Sequence, residues 1–314
     1  MGKNVDQAVA LFHDSKVKGG GNIARTVASA LEEDARWYLA SGQHGDLKLN
    51  VQQWGAQIIR ARPSQITLRN TVKNILYRIE KINDDDDQKV LDAILTNSKL
   101  FIETVDGAKE NISILGANLL QDGDIVLTNS YSQMVKAIID AAVNTLGKEI
   151  SVIITETRPK NQGYRMVKEL LDIGVPCTLI TDSAVRHIMR KVDIVIFGTD
   201  TVSSDGSAIT KIGSSVIALA ANEARVPLYI AAPTFKFSED TLSGVMVGIE
   251  EGNPMDIVRG SSLEEEIDNP LLTIANPTFD ATPPEFIRGI ITELYVMSPF
   301  SVGEYLARKS GLIE

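Results

Sequence analysis

Thiols are almost missing from this chain: Cys177 is the only cysteine in 314 residues. An internal disulfide is excluded, and a reducing compartment is expected. Cys177 lies within an apolar run, so it reads as a packing residue rather than a nucleophile. Histidine is also scarce, and His13, His44 and His187 show no ligand spacing, which argues against a structural zinc site. Positive charge is in deficit, with 31 Lys and Arg against 41 Asp and Glu and a formal net charge of −10. That balance argues against a general nucleic-acid surface, while leaving room for one basic pocket on an acidic body. No apolar run reaches the roughly 18 residues that span a bilayer. Met1-Gly2-Lys3-Asn4 carries no apolar export segment. No direct nucleic-acid or membrane partner is expected, and the expected location is cytoplasmic.

What the chain does contain is two kinds of pattern in succession. Residues 1–120 read as a helical domain. Val27, Leu31, Ala35 and Tyr38 recur at helical spacing within Ala24 to Leu39. Val51 to Ile59 reads as a second helix, Leu68 to Ile79 as a third, and a long one runs from about Asp87 to Leu120. The acidic run Asp84 to Asp87 is placed to cap that helix. From residue 121 to 314 strands and helices alternate. Ile125 to Thr128, Ile150 to Ile154, Val175 to Thr181, Val192 to Gly198 and Val226 to Ala232 read as strands. Tyr131 to Leu146, Gln162 to Ile173, Val185 to Lys191 and Gly213 to Ala224 read as the helices between them, and a last helix is expected from Glu285. The fold class expected is α/β: an N-terminal helical domain, then a Rossmann-like domain with a mostly parallel sheet for ligand binding and dimerisation.

Parallel strands point polar residues at ligands from their C-terminal ends. Thr128-Asn129-Ser130 follows the first strand. Ser130 has no adjacent histidine to act as its base, so a helix cap by Ser130 or Ser132 is the plainer reading. Glu156 to Gly163 follows the second strand and offers Arg158 and Gln162 over the same edge; Lys160 reads as surface. Asp200 follows the strand ending at Gly198, and Thr210-Lys211 is read as opening a helix. An acid and an amine at one strand edge suit proton transfer and phosphate binding, with a buried salt bridge as the alternative. In the helical half, Lys18-Gly19-Gly20-Gly21-Asn22 reads equally as a phosphate-cradling loop or as a flexible linker. Arg62-Pro63 could grip a phosphate, although an interhelix turn with a solvated arginine is simpler. No Gly-x-Gly-x-x-Gly follows a sheet strand, so a dehydrogenase is set aside.

Several of these segments, in this order, resemble one superfamily. They are KGGGNIAR (18–25), ARPS (61–64), TETRPKNQG (155–163), LITD (179–182), GTDTVSSDG (198–206), TKIGS (210–214), APTFKF (232–237) and NPTFDATPPEFI (276–287). The superfamily unites the regulatory subunits of translation initiation factor 2B, methylthioribose-1-phosphate isomerase and archaeal ribose-1,5-bisphosphate isomerase. The resemblance implies a phosphate site using Lys18, Gly19, Gly20, Gly21, Arg62, Asn129, Arg158, Gln162, Thr210 and Lys211. The isomerases pair a cysteine, in Thr-His-Cys, with a later aspartate. This chain keeps Asp200 but has Ser130 in the cysteine's place, and a hydroxyl is a far weaker acid than a thiol. Thr128 to Ser132 is closer to the Thr-His-Ala-Tyr-Ser type of the initiation-factor alpha subunits. The reading drawn is an initiation-factor-2B-like binding protein of archaeal type, holding a sugar phosphate or nucleoside monophosphate. The alternative is an aldose–ketose isomerase of a ribose 1-phosphate, with Asp200 and Ser130 as its catalytic residues. No cofactor and no metal is implied. A homo-oligomer is expected, with initiation factor 2 or related subunits as further partners.

Overall fold

A computed structural model describes the chain apart from Met1, Ser15, Lys18, His44, Gly45, Ser64, Asp84, Asp85 and Glu314. It divides into two compact units, Met1–Ala108 and Lys109–Glu314.

The first unit is helical: α1 (Lys3–His13), α2 (Gly20–Ala40), α3 (Leu47–Ala61), α4 (Ile66–Ile75) and the first part of α5 (Asp87–Leu119). The 3.6-residue period puts Val5, Ala8 and Phe12 of α1 and Val27, Leu31 and Ala35 of α2 into one buried core with Val51, Ile58, Val72 and Ile94. Carboxylates hold the helix starts. Asp34, 1% exposed, accepts the N–H groups of Asn4 and Val5 at the head of α1. Asp87 accepts the Leu47 N–H at the head of α3. Of the acidic run, Asp84 and Asp85 lie outside the described residues, while Asp86 caps α5 by accepting the Lys89 N–H at 3.2 Å.

The second unit is built on a seven-stranded sheet. Its strands are β1 (Ile125–Thr128), β2 (Ser151–Thr155), β3 (Cys177–Ile180), β4 (Ile194–Gly198), β7 (Leu228–Ala231), β9 (Gly289–Ile291) and β10 (Val296–Met297). A smaller antiparallel sheet takes β5 (Thr201–Val202), β6 (Ala208–Lys211) and β8 (Phe279–Thr282). In the large sheet the spatial order is β10-β9-β7-β4-β1-β2-β3. All neighbours are parallel except β10 against β9. Alternation along the strands feeds two cores. Leu127, Ile153, Val195, Phe197 and Ile230 meet one, together with Ile217 and Ala221 of α9 (Ser214–Ala224). Val126, Val152, Ile154, Ile194 and Ile196 meet the other, together with Val135 and Ile138 of α6 (Gln133–Asp140) and Met166 and Leu170 of α7 (Gln162–Leu171). Both faces are covered, which is why the strands are apolar almost throughout. Cys177 is half-buried on β3, and desolvation raises its pKa.

Two expected helices are corrected. Thr210 and Lys211 end strand β6 instead of opening a helix, because β6 pairs with β8 in the register Lys211↔Phe279; α9 begins only at Ser214, after Gly213 at φ +94°. No helix starts at Glu285. That residue lies in a 3₁₀ turn, Pro284–Phe286, and the chain then enters β9, which adds to β7, and β10; the last helix is Val302–Lys309. Both errors have one cause. The pairing partner is tens of residues away, and a local pattern does not carry it.

Gly163, at the start of α7, marks a close approach. A Cβ there would stand 1.8 Å from the Thr155 carbonyl oxygen. The Gly163→Ala variant is expected to lose about 1–3 kcal/mol, seen as a lower urea midpoint at unchanged m-value.

Candidate functional site

From β1 the chain winds outward through β2 and β3 on one side, then returns to build β4, β7 and β9 on the other. The order therefore reverses between β1 and β4, and at such a switch point the loops leaving the two strands diverge and open a crevice. The residues leaving β1 there are Asn129 and Ser130, and those leaving β4 are Thr199 and Asp200. Gly198 lets the two strand ends approach, since a Cβ on it would fall 2.2 Å from Ser132 Oγ.

A hydrogen-bonded network fixes the β1 side. Ser130 is 6% exposed and adopts φ +65°, the left-handed region that side chains seldom occupy. Its N–H donates to Thr157 Oγ1 at 2.8 Å and its hydroxyl donates to Gln162 Oε1 at 3.0 Å. Thr157 is also left-handed, at φ +61°, a conformation that costs of order 1–3 kcal/mol in a β-branched residue and needs support from its surroundings. The Thr155 and Thr157 hydroxyls both donate to Asn129 Oδ1, at 2.7 and 2.8 Å. Asn129 Nδ2 donates to Ser214 Oγ at 3.0 Å and lies 3.4 Å from the Lys211 carbonyl oxygen. Asn129 thus spends its amide tying β1, β2 and the head of α9 together. The helix cap belongs to Ser132, whose Oγ accepts the Val135 N–H, and Ser130 is left facing Gln162.

On the β4 side, Thr199 donates its hydroxyl to the Ile209 carbonyl at 2.6 Å, fixing the hairpin to β6. Lys236, in the turn after β7, donates its Nζ to the Thr199 carbonyl at 2.6 Å. Desolvation lowers the pKa of this amine, and the nearby Asp200 carboxylate opposes that shift. Asp200 is half-buried, its N–H donates to Ile209, and among the described residues its carboxylate accepts no hydrogen bond. The start of α9 is occupied from within. Asp280 on β8 accepts the N–H groups of Gly213 and Ser215, and desolvation raises its pKa.

Of the residues singled out in the sequence, Ser130 and Gln162 are hydrogen-bonded to each other, and Asn129 joins them through Thr157. Thr210 is buried on β6 beside β8, with its hydroxyl near Asp280 and Thr282. Lys211 places its Nζ 4.1 Å from the Phe279 ring centroid. Arg158 is exposed and donates to the Ile257 carbonyl at 2.9 Å. In the first unit, Gly19 is the residue before α2 at φ +86°, Gly20 and Gly21 form its first turn, and Arg62 follows α3. Lys18 lies outside the described residues. Sequence reasoning did not single out Thr157, Asp182, Lys236 or Asp280. All four sit inside those motifs, but their roles depend on partners 24 to 67 residues away.

Behind Ser130, Glu169 on α7 accepts the Tyr131 hydroxyl at 3.0 Å and pairs with Arg165 at 2.8 Å and Lys136 at 3.1 Å. Desolvation alone would raise the Glu169 pKa, but hydrogen bonds from Arg165, Lys136 and Tyr131 together hold it below the usual 4.5. The folded state therefore releases this proton more readily than the unfolded chain, so the contribution is complete above that value and fades as pH falls through the folded pKa. Glu169→Gln is expected to be less stable than the parent at pH 7. That gap should close on acidification below 4.5, as followed by urea unfolding across pH.

Comparison with known proteins adds to this geometry. The profile of the Initiation factor 2 subunit family matches residues 16–299. The ribose 1,5-bisphosphate isomerase of Methanocaldococcus jannaschii is 36% identical over 299 residues, spanning 95% of this chain and 93% of that protein. A Pyrococcus horikoshii protein named as a putative translation initiation factor eIF-2B subunit 2-like is 31% identical over 287 residues, spanning 90% and 92%. The crystal structure of the Pyrococcus horikoshii translation initiation factor eIF-2B superposes with a TM-score of 0.77 at 28% identity, covering 95% of this chain and 98% of that one.

Proposed function

The chain belongs to the Initiation factor 2 subunit family, and on that footing we propose that it binds a small phosphorylated ligand, a sugar phosphate or a nucleoside monophosphate, in the crevice between β1 and β4. The observation that carries the reading is the state of Ser130. Where the resembling isomerases hold a thiol, this chain holds a hydroxyl donated to Gln162, and among the described residues no titratable group is hydrogen-bonded to it. Such a group orients a ligand through hydrogen bonds and is not activated as a nucleophile. Lys236 supplies an amine donor at the end of β7, and Gln162 and Ser130 supply neutral polar contacts at the ends of β1 and β2. The role assigned is that of an initiation-factor-2B-like regulatory protein. It would act as a homo-oligomer in the cytoplasm, with initiation factor 2 or related subunits as candidate partners.

Asp200 supports a second reading, the aldose–ketose isomerase. Its carboxylate is free of hydrogen bonds among the described residues and sits in the field of a desolvated amine. A carboxylate so placed can take the C2 proton of a ribose 1-phosphate and return it to C1 as the bond from C1 to the ring oxygen breaks, the C2 hydroxyl proton passing to that oxygen as the C2 carbonyl forms. The name of the 36% identical relative points the same way.

Calorimetry with ribose phosphates, AMP and GMP is expected to give saturable binding, and absence of any would remove the ligand from the proposal. Lys236→Met should weaken that binding about tenfold or more, the loss expected for a charge-assisted hydrogen bond worth roughly 1.5–3 kcal/mol. Proton NMR of ribose 1,5-bisphosphate decides between the readings. Little turnover in the parent with a gain in Ser130→Cys supports the binding protein. Strong parental turnover abolished in Asp200→Asn establishes the isomerase.

A further inference from the structure

The motif LITD ends in an aspartate that neither reading above uses. Asp182 opens a short 3₁₀ turn just past β3, and its two oxygens face the loop that leaves β2. Oδ1 accepts the Thr157 N–H at 2.8 Å and Oδ2 accepts the Arg158 N–H at 2.8 Å. One carboxylate therefore grips two successive amides of a turn whose first residue is held left-handed at φ +61°. A β-branched residue does not rest there unless its surroundings over-determine it.

We infer that Asp182 is a positioning residue of the crevice, which fixes the Thr157 turn and through it the aim of the Ser130 hydroxyl. The chain of contacts is continuous. Thr157 Oγ1 accepts the Ser130 N–H at 2.8 Å and donates to Asn129 Oδ1 at 2.8 Å. Ser130 is itself left-handed, at φ +65°, so its backbone depends on that hydroxyl, and its side chain is thereby delivered to Gln162 Oε1 at 3.0 Å. Asp182 contacts the Thr157–Arg158 turn, and its effect on position 130 passes through Thr157. Its consequence for affinity rests on the crevice being the ligand site; its effect on position 130 does not.

A thiol at position 130 reports that effect directly. In a Cys177→Ala, Ser130→Cys background the only cysteine is the reporter, and its alkylation by iodoacetamide is expected to be slow because position 130 is 6% exposed. Adding Asp182→Ala is expected to speed alkylation at least fivefold. Asp182→Asn retains one acceptor oxygen and should give a smaller rise, still above twofold. Asp193→Ala is the matched control: its carboxylate also accepts a backbone N–H, that of Ile125 at 2.9 Å, but at the far end of β1. It should change the rate less than twofold. The inference is overturned if Asp182→Ala alkylates within twofold of its parent, or if Asp193→Ala matches it. Should Asp182→Ala fail to fold, the Asn variant carries the same twofold criterion. Calorimetry with ribose 5-phosphate on the Asp182 variants, with Ser130 and Cys177 in place, separates the two claims. If the parent binds, affinity should fall with the alkylation effect. If no variant or parent binds while the alkylation pattern holds, the ligand proposal fails and the positioning role stands.

Discussion

Carboxylates that accept main-chain N–H groups from distant segments hold the ends of elements throughout this chain. Asp34 does so at the head of α1, Asp87 at the head of α3, Asp193 at the start of β1, Asp182 at the turn after β2 and Asp280 at the head of α9. Helix starts and tight turns leave N–H groups without partners, and buried ones are costly if unmet. An ionised acceptor meets them with a stronger bond than a carbonyl does. Part of the chain's acidic excess is therefore internal structure rather than surface charge. Asp34 and Asp87 are at most 5% exposed.

The crevice depends on the same device. Its β1 side consists of side chains already bonded to one another, so Asn129, Thr155 and Thr157 act as a frame and Ser130 and Gln162 as its face. Its β4 side carries ionisable groups, with Asp200 and Lys236 near each other and the amine desolvated. A phosphate bound there would favour the protonated form of that amine. The head of α9, a place where anions commonly bind, already holds the Asp280 carboxylate.

Much of the fold was legible in the sequence because parallel, doubly covered strands are apolar runs bounded by small polar residues. The strands near residues 125, 151, 177, 194 and 228 and the helices between them follow that rule. The small antiparallel sheet was not legible. β5 has two residues, and β6 pairs with β8 about 70 residues later. β9 was hidden in the same way, since its partner β7 lies about 60 residues earlier, and β10 is only two residues long. At the candidate site, Asn129, Ser130, Gln162 and Asp200 stand out from their place after strands, whereas Lys236 and Asp182 carry no local sign of what they hold. The left-handed backbone at Ser130 and Thr157 had no glycine to announce it.

The large sheet ends differently at its two margins. On one side β10 is a two-residue stub running against its neighbour, which offers a stranger almost no ladder to extend. On the other, β3 runs four residues parallel to β2, with Leu179 45% exposed on it. The β3 margin is therefore the longer ladder of the two ends of the sheet.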